Sequence, residues 1–112
     1  MSKLPEEYLK HILDEVNYLI NTSSNILEDD FAKNETLQRA FARSLEIIGE
    51  ATKNLPEEYK KGNNEVDWKS VAGMRDKLIH HYFGVDYEIV WDVVKNEIPK
   101  LKLDIEKLIE FK

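Results

Sequence analysis

Apolar residues recur along this chain at spacings of three and four, the period of an amphipathic α-helix. Tyr8, Leu9, Ile12, Leu13, Val16, Leu19 and Ile20 form the first stripe and predict a helix from about Pro5 to Asn21. Pro5 suits a first helical turn, where its missing N–H costs nothing. Asn21 to Asn25 has the composition of a loop. A longer helix is predicted from about Asn34 to Leu55, with Leu37, Ala40, Phe41, Leu45, Ile48 and Ala51 as its stripe. Gly49 lies inside it and costs about 1 kcal/mol relative to Ala, so its presence predicts the close approach of another helix. Pro56 ends this helix or opens a short turn to Lys61, and Gly62 to Asn64 reads as a loop. Asp67 is a suitable N-cap for a helix from Trp68 to about Phe83, which Gly84 would close in a left-handed C-cap. Asp86 caps the last long pattern: Tyr87, Val90, Trp91, Val94, Ile98, Leu101, Ile105 and Leu108. Pro99 should kink or restart that helix. No alternating strand pattern exceeds four residues, so the expectation is an all-α bundle of four or five helices.

Composition narrows the function. At 112 residues the chain fits one domain, residues 1–112, and its 42% hydrophobic and 34% charged residues can fill a core and solvate its outside. There is no Cys, which removes disulfides, thiolate metal sites and cysteine nucleophiles. The start of the chain lacks the apolar core of a signal peptide, and no run approaches a membrane span, so a cytoplasmic location without membrane association is expected. Sixteen Lys and Arg against 22 Asp and Glu leave a formal charge of −6. Non-specific nucleic-acid binding is driven by phosphate neutralisation, so any contact with RNA must depend on a local site, and no DNA partner is expected.

The residues suited to chemistry concentrate in Arg75-Asp76-Lys77-Leu78-Ile79-His80-His81-Tyr82-Phe83-Gly84. A histidine titrating near pH ~6.5 can take or give a proton at neutral pH. An arginine keeps its charge and offers a fork of donors to a phosphate. Asp76 and His80 are i,i+4 neighbours on a helix and can touch. Arg75 and His80 lie about 140° apart around an ideal helix, so they do not point at one phosphate unaided. Unwinding of the helix before Gly84, a bent Arg75 side chain, or a second copy of the helix would each relieve this. Other residues read as structural first. His11 is a surface histidine near Glu15, Arg39 and Arg43 are exposed cations, and Trp68 and Trp91 belong to apolar stripes. No set of residues has the spacing of a metal cage.

The pattern Arg75-x4-His80-x-Tyr82 resembles the Arg-x4-His-x-Tyr signature of the HepT-like family of HEPN domains. Further blocks extend the likeness from about Phe41 to Leu101: Arg43 to Ala51, Val66 to Asp76, Val90-Trp91 and Ile98-Pro99. The resemblance implies a homodimeric HEPN-type helical bundle with the signature at the dimer cleft. It implies a metal-independent endoribonuclease, needing no cofactor, that serves as the toxin of a toxin–antitoxin pair. Its partner would be a minimal nucleotidyltransferase that silences it by moving AMP from ATP to a tyrosine. By position, Arg75 and His80 are the catalytic pair, Asp76 the accompanying polar residue and Tyr82 the AMP acceptor. His81 and Glu50 are candidates to border the cleft. A reading from another class is a non-catalytic subunit that binds the transferase or presents a nucleotide to it.

Overall fold

Helix ends in this protein are set by the residues that can satisfy orphan backbone groups. The structure, a computed structural model, describes residues 4–78 and 86–110, and of Arg75 and Lys77 the backbone alone. Helix α1, Pro5–Ser23, starts with proline and places Glu6 and Glu7 at the positive end of its dipole. Helix α2, Glu28–Ala32, opens where the Asp30 carboxylate accepts from the Leu27 N–H at 3.2 Å. Helix α3, Glu35–Lys53, is capped by Asn34, whose Oδ1 accepts from the Leu37 N–H at 3.0 Å. Helix α4, Glu57–Gly62, follows Pro56. Helices α5, Trp68–Ala72, and α6, Met74–Leu78, are separated by Gly73. Helix α7, Tyr87–Asn96, is capped by Asp86, which accepts from the N–H groups of Glu88 and Ile89 at 3.1 and 3.2 Å. Helix α8, Ile98–Glu110, carries Pro99 in its first turn, so the proline restarts the helix rather than kinking it.

The described residues are all-helical, as the periodicity predicts, in eight segments. The long ones follow the predicted stripes. Helix α1 lies against α3 and α8, and α3 also receives α5, α6 and α7. Their inward residues, among them Leu9, Ile12, Val16, Leu19, Phe41, Leu45, Ile48, Val90, Val93, Ile98 and Ile105, are completely buried. Each contributes about 1.5–3 kcal/mol relative to exposure, so this face-to-face packing dominates the stability. Polar groups in the core are satisfied locally: Thr52 donates to the Ile48 carbonyl at 2.8 Å, and Ser44 reaches across from α3 to Glu15 of α1 at 2.7 Å.

Two departures from the sequence reading are physical. Helix α2 has a single buried apolar residue, Phe31, and five residues are too few to show a period. The predicted helix from Trp68 to Phe83 is interrupted at Gly73, where ψ is 4° instead of the helical value near −42°. The close approach predicted at Gly49 is present. A Cβ there would stand 3.2 Å from the Ala72 carbonyl oxygen and 3.6 Å from that of Val71, so α5 rests directly on the backbone of α3.

A branched side chain at position 49 has no room without displacing α5. Gly49→Val should lower the unfolding free energy by about 1–3 kcal/mol in urea titrations. Wild-type stability in that variant would mean that the contact yields freely.

The cap of α5 generates a pH dependence. Asp67 accepts from the Ser70 hydroxyl at 2.8 Å and from the Ser70 N–H at 3.1 Å. These bonds, the hydroxyl's first, hold its carboxyl below the ordinary value of 3.8. A depressed folded pKa gives stability that is complete above the unfolded value and disappears as pH falls through the folded one. The stability advantage of wild type over Asp67→Ala should therefore be constant near neutrality and shrink in the acid range below 3.8. Chemical denaturation across that range measures it, and an advantage that grows with acid would contradict the sign.

Candidate functional site

The segment that leads into the signature is anchored before it begins. Trp68, 7% exposed, donates its indole N–H to the Asn63 carbonyl at 2.9 Å and packs near Tyr59. Val66 and Val71 are buried beside it. After Gly73 the chain turns into α6, where Met74 and Leu78, one turn apart, both face the core at 5% and 2% exposure. That burial fixes the rotation of α6 about its axis. Arg75 and Asp76 fall between the two anchors, and Asp76 is exposed. Helix α6 packs on α3 and α7.

The far side of the signature is fastened to the same place. The Asp86 N–H donates to the Leu78 carbonyl at 2.8 Å. Thus the last residue of α6 and the capping residue of α7 meet directly. Asp86 has two roles here, since its backbone joins α6 while its carboxylate starts α7. His80, His81, Tyr82 and the C-cap expected at Gly84 lie outside the described residues, as does the Arg75 side chain. What the structure does fix is the frame around them: an exposed Asp76, a buried Leu78 and the Leu78–Asp86 bond.

Glu50 is exposed on α3. It borders an open groove of about 240 Å3 between α1 and α3 that Tyr8, His11, Arg43, Ile47 and Asn54 also line. Glu50 lies 3.9 Å from Lys53, and Arg43 pairs with Glu46. This grouping of Tyr8, His11 and Asn54 with Glu50 was not legible beforehand, because α1 and α3 are far apart in sequence and each residue alone reads as surface. His11 is exposed as expected, while Glu15 is engaged by Ser44. Trp68 is core; Trp91 is half-buried against Phe31, with ring centroids 5.2 Å apart. Among the described residues no three His, Asp or Glu side chains gather in a way that could hold a metal ion. Nor, among them, is any helix long and apolar enough to cross a membrane.

Comparison with known proteins gives this frame a family context. The family model described as "Ribonuclease HepT-like" matches residues 7–108. A protein of Caldanaerobacter subterraneus subsp. tengcongensis named "Putative RNase" is 51% identical over 108 residues, covering 96% of each chain. A protein of Methanocaldococcus jannaschii, also named "Putative RNase", is 46% identical over 103 residues, 92% of this chain and 85% of that one. "Probable ribonuclease HepT" of Thermococcus cleftensis is 43% identical over 108 residues, 96% of this chain and 98% of its own. No solved structure matches.

Proposed function

The chain belongs to the HepT-like ribonuclease family, and from that premise we propose that it is the ribonuclease toxin of a toxin–antitoxin pair. The observation that carries this reading is the intact Arg75-x4-His80-x-Tyr82 signature between two fixed points, the buried face of α6 and the Asp86 cap.

The chemistry asks little of the protein. RNA carries its own nucleophile, the 2′-hydroxyl, so the enzyme must move protons and stabilise charge on the crowded phosphorus. The 2′ oxygen forms a bond to phosphorus, the bond from phosphorus to the 5′ oxygen breaks, and the products are a cyclic phosphate and a 5′-hydroxyl. His80 takes the proton from the 2′-hydroxyl or supplies one to the leaving oxygen. Arg75 holds the phosphate oxygens as their charge grows. Asp76 orients one of the two. No step in this scheme requires a metal or cofactor. The catalytic cleft lies between two copies of the chain, which answers the ~140° divergence of Arg75 and His80 on one ideal helix. His81 and Glu50 border it.

Tyr82 is the regulatory position. A minimal nucleotidyltransferase encoded as antitoxin transfers AMP to it: the tyrosine oxygen attacks the α-phosphorus of ATP, and pyrophosphate leaves. The added phosphodiester brings a negative charge that occupies Arg75 and repels RNA. A second reading, a non-catalytic subunit of that transferase, draws support from the net charge of −6. Expression without the antitoxin separates the two, since only a toxin arrests growth through Arg75 and His80.

His80→Ala and Arg75→Ala should each remove RNA cleavage, by at least about 100-fold, while circular dichroism and thermal unfolding stay those of the wild type. Undiminished cleavage by either folded variant would remove the mechanism.

Incubated with its cognate transferase and ATP, the wild type should gain the mass of AMP. Tyr82→Phe should gain none and remain an active nuclease. The same mass gain on Tyr82→Phe would place the acceptor elsewhere.

A further inference from the structure

We propose that the groove between α2 and α7 docks a polypeptide segment of a partner protein that carries Lys or Arg beside apolar residues. The inference rests on charge and shape, and stands whether or not the nuclease reading holds.

The groove has a volume of about 520 Å3 and is lined by Glu28, Phe31, Gln38, Asp86, Glu88 and Trp91, among others. Its floor is aromatic. Phe31 is 1% exposed and stacks at 5.0 Å on Phe41, which meets Tyr18 edge-on at 6.0 Å, while Trp91 lies at 5.2 Å on Phe31's own ring. Gln38 holds the end of α2 by donating to the Phe31 and Ala32 carbonyls at 2.9 and 3.0 Å. Leu27, the chain neighbour of the groove-lining Glu28, is a large apolar residue left 72% exposed. An apolar neighbour of this kind favours a polypeptide over a bare polyamine.

Charge gives the sign of the occupant. Helices α2 and α7 pack together and, with the Asp86 cap, carry Glu28, Asp29, Asp30, Asp86, Glu88 and Asp92. With these six set aside, the chain's 22 acidic residues fall to 16, equal to its Lys and Arg. Those 16 bases include Lys33 and Lys95 beside these same acids, so the two helices with their caps hold −4 of the chain's −6. Such a face repels RNA and attracts a basic partner. Lys95, whose ammonium stands 5.4 Å from the centre of the Trp91 ring and donates to the Ser23 carbonyl at 3.5 Å, is not among the residues that line the groove. Docking here would also reach Asp86, whose N–H fastens α6 to α7.

The test uses the full chain and a dye-labelled peptide of alternating Arg and Leu, with the Glu-for-Arg peptide as control. Anisotropy should show saturable binding of the first and none of the second. Glu28→Gln/Glu88→Gln should weaken binding roughly tenfold, whereas Glu58→Gln/Glu65→Gln, with the same loss of charge on other exposed surface, should change it less than about twofold. Thermal unfolding confirms that both double variants fold. Absence of saturable binding, or equal weakening by the two double variants, would overturn the proposal. Two other occupants would also overturn it. A change of oligomeric state in Glu28→Gln/Glu88→Gln by sedimentation would make the groove a contact between copies. Photo-crosslinking of single-stranded RNA to the Trp91 peptide would make it an RNA surface.

Discussion

The contact on which the site depends is the one between Gly49 and the carbonyls of Val71 and Ala72. A glycine in mid-helix costs about 1 kcal/mol in intrinsic propensity, and here the cost is offset by letting α5 lie on the backbone of α3. With α5 seated, the chain reaches Gly73 at a fixed point, turns, and enters α6 with Met74 and Leu78 buried. Those two residues set the rotation of α6, which carries the start of the signature. On the far side, the Leu78–Asp86 hydrogen bond ties the return of the chain to the start of α7. A proton-transfer site needs its groups held within a few tenths of an ångström. Helices α3, α6 and α7, packed on one another by buried aliphatic side chains, fix the described residues that flank the proposed site.

Much of this fold was legible because long amphipathic helices announce themselves. The stripes of α1, α3, α7 and α8 could be read from period alone, and Asp67 and Asp86 cap helices as the sequence predicts, while the cap at Asn34 emerges from the structure. What escaped is what periodicity cannot carry. Helix α2 buries one residue, Phe31, so it has no period. The interruption at Gly73 was hidden because Val71, Met74 and Leu78 keep a helical spacing through it, and only the backbone turn reveals two helices. At the site, Arg75, Asp76, His80 and Tyr82 were visible as a local motif. The groove around Glu50 was not, since it forms only when α1 and α3 meet.

The net acidity, awkward for a protein read as acting on RNA, has a spatial resolution. A charge of −6 matters to a polyanion only where the polyanion approaches. The six carboxylates carried by α2, the Asp86 cap and α7, set against Lys33 and Lys95, hold −4 of that charge, and the remainder of the chain holds −2. An RNA strand would be turned away from one face and left free to meet the others. Such a division suits the two contacts proposed above, one to RNA at Arg75 and His80 and one to a basic polypeptide at the aromatic groove.

The most direct measurement of the central claim is the chemistry of the ends left on RNA. Purified protein incubated with single-stranded RNA should leave 2′,3′-cyclic phosphates facing 5′-hydroxyls, and a strand with a single 2′-deoxy sugar at the cut position should resist cleavage there. Fragments ending in 5′-phosphate and 3′-hydroxyl, or cleavage of the 2′-deoxy strand at an equal rate, would contradict the role assigned to the RNA's own hydroxyl and to Arg75 and His80.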